Sequence, residues 1–201
     1  MHEYTYNGHP RDKIIYALAA LSITISTFFT EVILPYANTS LNIKIAFTLS
    51  SATVFGILYI VSCNWLWKTK LFSRVFSYPD YSGEWECHGT SLNPTTRETY
   101  KWTGTITIKQ TWTKILVSMR TESSTSHSLS ISCGLSHFAG YGHKLAYHYD
   151  NVPSPTNPEL SRHEGFCILS FQEDQREAEG NYFNNARDRS TFGKMTLRRK
   201  K

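Results

Sequence analysis

Three kinds of signal are missing from this chain, and each absence closes off a class of function. There is no G-x-S-x-G, no P-loop, no G-x-G-x-x-G and no pair of carboxylates at one strand end. Nucleophilic, phosphoryl-transfer and dinucleotide-dependent catalysis therefore lack their recognisable residues, no catalytic residue can be assigned, and the chain is expected not to be an enzyme. Cysteine is scarce. Cys63, Cys87, Cys133 and Cys167 form no C-x-x-C, and the eight histidines have neither zinc-finger nor HExxH spacing. No metal and no other cofactor is expected, and the last three cysteines should be reduced thiols packed as small hydrophobes. A strong charge of one sign is also missing. With 21 Lys+Arg against 16 Asp+Glu the net charge is +5, too mild to argue for DNA or RNA as a partner.

What the chain does have is two long apolar runs. Ile14 to Leu34 carries only Glu31 as a charge, and Ile45 to Trp67 carries none. About 20 apolar residues cross ~30 Å of hydrocarbon as a helix, so residues 14–67 are expected to form a two-helix transmembrane hairpin. A buried helical pair in a soluble core, or a cleaved signal peptide for the first run, are the plainer readings. Arg11 and Lys13 precede the hairpin and Lys68, Lys70 and Arg74 follow it, while the turn at Pro35 to Asn42 has no basic residue. Both termini are therefore expected on the cytoplasmic side of the membrane. Tyr16, Tyr36, Trp65 and Trp67 fall at the expected interfaces. Thr48, Ala52 and Gly56 share one helix face, as do Ser22, Ser26 and Thr30. Such small residues serve either self-assembly or packing within one hairpin. Glu31 needs a partner or an interfacial position, and Lys44 is the candidate. Residues 1–13 read as a cytoplasmic lead-in. Residues 68–80 read as a juxtamembrane linker, in which Leu71, Phe72, Val75 and Phe76 recur at helical spacing before Pro79.

From residue 81 to 201 the pattern switches to period two. Eight strands are expected: Ser82–Gly89, Tyr100–Gln110, Thr113–Arg120, Ser124–Ser136, Lys144–Asp150, Glu164–Gln172, Glu177–Asn184 and Thr191–Arg199. In the fourth, Leu129, Ile131, Cys133 and Leu135 alternate with serines. The fold class is mainly β, an eight-stranded antiparallel up-and-down β-barrel behind the hairpin, with a sandwich as the alternative. Gly104 and Gly193 lie inside strands where closure needs coiling. The domain from about Tyr81 onward is expected to be soluble and to fold alone.

The stretch Gly180 to Gly193 sets Tyr182, Asn184, Arg187, Arg189 and Thr191 around one hairpin. Arginine forks match phosphate oxygens, amides read base edges and tyrosine offers a stacking face, so the group suits a small anionic nucleotide. A plain polar hairpin turn with Asp188 pairing an arginine fits the same residues.

The order of parts resembles the two-helix β-barrel effectors of bacterial cyclic-oligonucleotide antiphage signalling (CBASS). The resemblance covers residues 14 to 199. It rests on the opening G-x-W at Gly83 to Trp85 and on the closing G-x-Y…R…G at Gly180, Tyr182, Arg187 or Arg189, and Gly193. The G-x-W is also similar to that of lipocalins. The resemblance implies a sensor–effector. A CD-NTase makes a cyclic dinucleotide, the barrel binds it, the membrane segments assemble with lipid and with one another, and the inner membrane is breached. The resemblance fixes no individual ligand contact; from the residues themselves, Arg120 or Tyr147 is expected to join the ligand site. A membrane-anchored carrier of an apolar ligand and a membrane-bound enzyme with a hidden site remain the competing readings.

Overall fold

In the computed structural model of the chain the period-two segments become a sheet that closes on itself. Described are residues 1–40, 49–70, 72–73, 78–122, 126–152, 162–172, 175–186 and 189–200. Two units divide the chain: residues 1–8 with 80–201, and residues 9–79. The first unit has nine described strands: β1 (His2–Asn7), β2 (Gly83–Leu92), β3 (Thr99–Gln110), β4 (Lys114–Thr121), β5 (His127–Phe138), β6 (Gly142–Val152), β7 (His163–Phe171), β8 (Glu177–Ala186) and β9 (Arg189–Arg199). Around the ring the order is β1-β4-β3-β2-β9-β8-β7-β6-β5. The eight expected strands are all present as β2 to β9, with antiparallel neighbours. The expected lead-in is corrected: residues 2–7 are a strand of the barrel. They escaped the period-two reading because the strand is short and lies on the far side of the apolar runs.

The second unit is helical. Helix α1 (Arg11–Phe28) continues through a π turn (Phe29–Ile33) into α2 (Leu34–Ser40). The expected turn at Pro35 to Asn42 is therefore helical as far as Ser40. Pro35 has no N–H and its ring crowds the carbonyl four residues earlier, and the wider π turn just before it relieves that clash. Arg11–Thr39 is long and apolar enough to cross a membrane. Helix α3 (Ser51–Asn64) starts at a cap, the Ser50 hydroxyl accepting the Thr53 N–H at 3.1 Å. Its 14 residues rise about 21 Å, short of the ~30 Å of a bilayer core. Lys44, Thr48, Leu71, Arg74, Val75 and Phe76 lie outside the described residues.

Helices α1 and α3 pack together. Ser22 is buried with its hydroxyl donating to the Ala19 carbonyl at 2.7 Å, and Ser26 donates to the Leu49 carbonyl at 2.5 Å. Both hydroxyls are engaged within the helical unit. Ala52 is exposed, and a Cβ added at Gly56 would meet nothing within 4 Å. Tyr16, Tyr36 and Trp65 are exposed, but Trp67 is buried against Tyr78, ring centroids 5.6 Å apart, so it is not a membrane-interface anchor. Tyr78 in turn accepts from Arg11 Nη2 at 3.1 Å.

In the barrel, β4 and β5 pair directly only over Ser118–Arg120 against His127–Leu129. Beyond that they diverge as a fork, and β1 fills it. It runs antiparallel to β4 at His2–Glu3 and parallel to β5 at Tyr4–Asn7. Its inward face carries His2, Tyr4 and Tyr6. The Tyr4 hydroxyl accepts from Gln110 Nε2 at 3.1 Å, and the same amide's Oε1 accepts the Tyr81 N–H at 2.9 Å.

The fork also explains a second correction. A bulge between Ser130 and Ser132 shifts the register of β5. One extra residue sends every side chain before it to the other face. Leu129 and Ile131, expected in the core with Cys133 and Leu135, are 39% and 50% exposed, while Ser130 is turned inward at 4%. At the apex of the fork the Ser130 hydroxyl accepts the Val117 N–H at 2.9 Å and lies 2.9 Å from His2 Nε2. Ser130→Leu should cost about 1–3 kcal/mol, because it overpacks the apex and orphans a buried N–H. Leu129→Ala should stay within about 0.5 kcal/mol. Urea unfolding of both variants checks this, and the uninterrupted alternation would give the reverse ranking.

Candidate functional site

The interior of the barrel is divided by chemistry along its axis. At the end where β3, β5, β7 and β9 finish, it is filled by apolar side chains. Trp85, Ile106, Ile115, Leu145 and Leu169 are all at most 1% exposed, and Tyr81 stacks on Phe171 at 3.7 Å. At the other end the inward positions change to Ser91, Trp102, Tyr149, Asn151, Tyr182, Asn184 and Thr191.

Two hydrogen-bonded groups occupy this polar end of the interior, the chamber. Trp102 Nε1 donates to the Tyr182 hydroxyl at 2.9 Å and to Ser91 Oγ at 3.0 Å, and the two hydroxyls lie 2.5 Å apart. The Tyr149 hydroxyl donates to Asn184 Oδ1, whose Nδ2 donates to Thr191 Oγ1 at 2.9 Å. The rings lie across glycines of the neighbouring strand. Trp102 is opposite Gly89, Tyr182 opposite Gly193 and Tyr149 opposite Gly165. A Cβ at Gly89 or Gly193 would come within 2.1 Å of the ring, and at Gly165 within 2.3 Å of the Tyr149 hydroxyl. Glycine is thus required at these positions so that three aromatic planes can lie flat against the wall.

Burial raises the pKa of Tyr182, even though hydrogen bonds from Ser91 and Trp102 pull the other way. Burial also raises Tyr147 and Tyr149, with the nearby Cys167 adding to it. The phenols therefore stay protonated, and the lining is polar but neutral. Burial pushes the thiols of Cys87, Cys133 and Cys167 up to about 12, so these free cysteines also stay neutral. Such a lining offers stacking planes, hydroxyl and amide hydrogen bonds and no repulsion toward an anion.

Of the residues singled out from the sequence, Tyr182, Asn184 and Thr191 meet in this chamber. Tyr147 lies one layer deeper, opposite Cys133 on one side and Cys167 on the other, as its floor. Arg120 is exposed on the outer face of β4 and is not brought to the chamber. Arg189 begins β9 opposite Ala186, its side chain being outside the description, and Arg187 lies outside the described residues. The sequence reading missed Ser91, because it ended the strand at Gly89 when β2 runs on to Leu92. Trp102 and Tyr149, inside the expected strands Tyr100–Gln110 and Lys144–Asp150, are not among the candidates singled out from the sequence. The available signal was the pairing of glycines with rings across adjacent strands. On the outer wall of the same strands, Leu92, Phe166, Ile168, Phe183 and Phe192 form an apolar groove beside Lys194.

A closed barrel with one packed end and one neutral, aromatic, hydroxyl-rich end has the architecture on which small-ligand sites are built. Residues 76–199 match the family model described as the Cap15 cyclic dinucleotide receptor domain. CD-NTase-associated protein 15 of Yersinia aleksiciae is 30% identical over 207 residues, with 98% of this chain and 97% of that protein covered. The chain belongs to the Cap15 family of CBASS effectors. The match starts at residue 76, so β1 lies outside it.

Tyr182→Phe removes the oxygen shared by Trp102 and Ser91 and should cost about 1–3 kcal/mol of stability. Gly193→Val should cost a similar ~1–3 kcal/mol by forcing the ring away. Lys194→Ala, on the exposed face of the same strand, should stay within about 0.5 kcal/mol. Urea unfolding followed by tryptophan fluorescence ranks the three, and equal midpoints would contradict the packing described.

Proposed function

We propose that this chain is a two-pass membrane effector of CBASS antiphage defence. A cyclic dinucleotide made by a CD-NTase binds in the polar chamber of a cytosolic barrel. Binding drives homo-oligomerisation of the transmembrane helices, disruption of the bacterial inner membrane and abortive infection. The protein acts as a sensor and carries out no chemical step of its own.

The observation that carries the reading is the chamber, within a segment that matches a cyclic dinucleotide receptor domain. Two bases need stacking planes and edge-reading amides, which Trp102, Tyr149, Tyr182 and Asn184 supply. Phosphates need arginine, and in sequence Arg187 follows β8 and Arg189 opens β9. The packed apolar end argues against an apolar-ligand carrier, since its interior is occupied by the protein's own side chains.

The two-pass topology is supported by β1. The chain leaves the barrel after Asn7 and rejoins it at residue 80, so the intervening segment must cross a membrane an even number of times. Arg11–Thr39 supplies one crossing, and residues 45–67 are the candidate for the return. Self-assembly is supported by the open face at Ala52 and Gly56, with Thr48 in sequence register. It is also supported by the apolar groove, because patches of this kind mark association sites. Ser26, by contrast, bonds across to Leu49, while the buried Ser22 bonds within its own helix. Ligand energy acts only through a difference in affinity between the separate and assembled states. The groove and the chamber are the two faces of β8 and β9, which gives that difference a physical route.

Losing a charge-assisted contact costs about 1.5–3 kcal/mol, roughly ten- to a hundredfold in affinity. Arg187→Ala, Arg189→Ala and Asn184→Ala should therefore weaken cyclic dinucleotide binding in calorimetry. Gly56→Leu should bind as the parent does, yet fail to assemble or to arrest growth when co-expressed with a cognate synthase. Undiminished binding in all three site variants would refute the site, and full toxicity of Gly56→Leu would refute the assembly face.

A further inference from the structure

The N-terminal strand is the part of the barrel that neither the apolar runs nor the matched receptor domain includes. It is held by few ladder pairs, two with β4 and four with β5. What holds it otherwise is its inward face. Tyr4 is 4% exposed and bound to Gln110, Tyr6 lies 3.0 Å from His143 Nε2, and His2 lies 2.9 Å from Ser130 Oγ. A domain starting near Tyr81 would leave this fork open, with unpaired edges on both β4 and β5.

The apex of the fork adjoins the chamber. Ser130, which His2 touches, is the ladder partner of Tyr149, and the Tyr149 hydroxyl donates to Asn184 in the chamber wall. Cys133, whose Sγ lies 3.7 Å from His2 Nε2, is the ladder partner of Tyr147 in the chamber floor. After β1 only Gly8, His9 and Pro10 precede α1.

We propose that the fork between β4 and β5 is a strand-binding groove whose occupant is this chain's own residues 2–7, and that occupancy of the fork and of the ligand chamber reinforce each other. This rests on the chamber being the ligand site. A ligand that binds only the closed wall stabilises the docked strand, and by reciprocity the docked strand raises ligand affinity by the same factor. Because β1 runs directly into α1, the ligand thereby holds the residue from which the first membrane helix departs. The mode is strand addition to an open sheet edge, performed in cis.

The test uses the full-length chain in detergent. Cys133 lies beneath His2, so maleimide labelling of Cys133, located by peptide mass spectrometry, reports lifting of β1. In the parent, a cyclic dinucleotide should slow labelling about 5- to 150-fold. A chain beginning at His9 should label fast, bind the nucleotide about tenfold or more weakly, and recover on addition of a synthetic peptide of residues 1–8. Tyr4→Ala, which keeps every residue of the chamber, should shift labelling and affinity in the same direction and decides the matter if the shortened chain does not fold. The proposal is overturned if Tyr4→Ala labels Cys133 no faster than the parent and binds nucleotide as tightly. It is equally overturned if the nucleotide slows labelling of the shortened chain as much as that of the parent, since direct shielding would then explain the effect. A parent that binds no cyclic dinucleotide sinks the chamber as ligand site, while saturable binding of a fluorescent 1–8 peptide to the shortened chain still decides whether the fork accepts the strand.

Discussion

A closed sheet tolerates no unpaired edge, and in this barrel the constraint bears on one place, the fork where β4 and β5 part. Backbone N–H and C=O groups left unpaired in a buried wall each cost as much as a lost hydrogen bond. The chain meets this in two ways. A bulge turns Ser130 inward so that its hydroxyl takes the Val117 N–H. Below that point residues 2–7 enter as an extra strand. The Gln110 amide then ties Tyr4 of that strand to Tyr81, where the chain returns. Both flanks of the helical segment thereby belong to the same folded unit.

The second organising feature is the separation of the interior into a filled end and a chamber. The filled end supplies the hydrophobic stabilisation, with rings and branched aliphatics at near-zero exposure. That leaves the other end free to carry groups that would be costly in a core unless hydrogen-bonded. Six of them are hydrogen-bonded, in two groups of three that share no member. Each ring is laid flat by a glycine opposite it, so the orientation of these groups is set by the wall itself. The wall carries no ionised group among its described inward residues. The cations nearest in sequence to this wall are Arg187 and Arg189, after β8 and at the start of β9.

Much of the fold was legible because period two is a strong signal wherever one face is buried. The strands from Trp85 to Leu197 alternate as their residues require, and the two apolar runs announce the helices. What was not legible shares a cause. The residues of β1 are too few to set a period, and their partners lie more than a hundred positions away. The bulge in β5 hid behind serines that suit either face, and only the loss of a ladder partner at Val117 decides which serine turns in. The site was half legible. Tyr182, Asn184 and Thr191 were found because they cluster in sequence, whereas Ser91, Trp102 and Tyr149 reach the chamber from other strands. Arg120 was drawn in by its charge, but its parity on β4 points it outward.

The most direct test of the account is where ligand protection appears along the barrel. Amide hydrogen exchange of the full-length protein, measured with and without a cyclic dinucleotide, reads this without any mutation. The account predicts slowed exchange in residues 89–92, 100–104, 147–151, 182–184 and 191–193, around the chamber. Residues 106–108 and 195–198, at the packed end, should not change. Protection confined to the packed end, or spread evenly over all strands, would contradict the chamber as the place where the ligand acts.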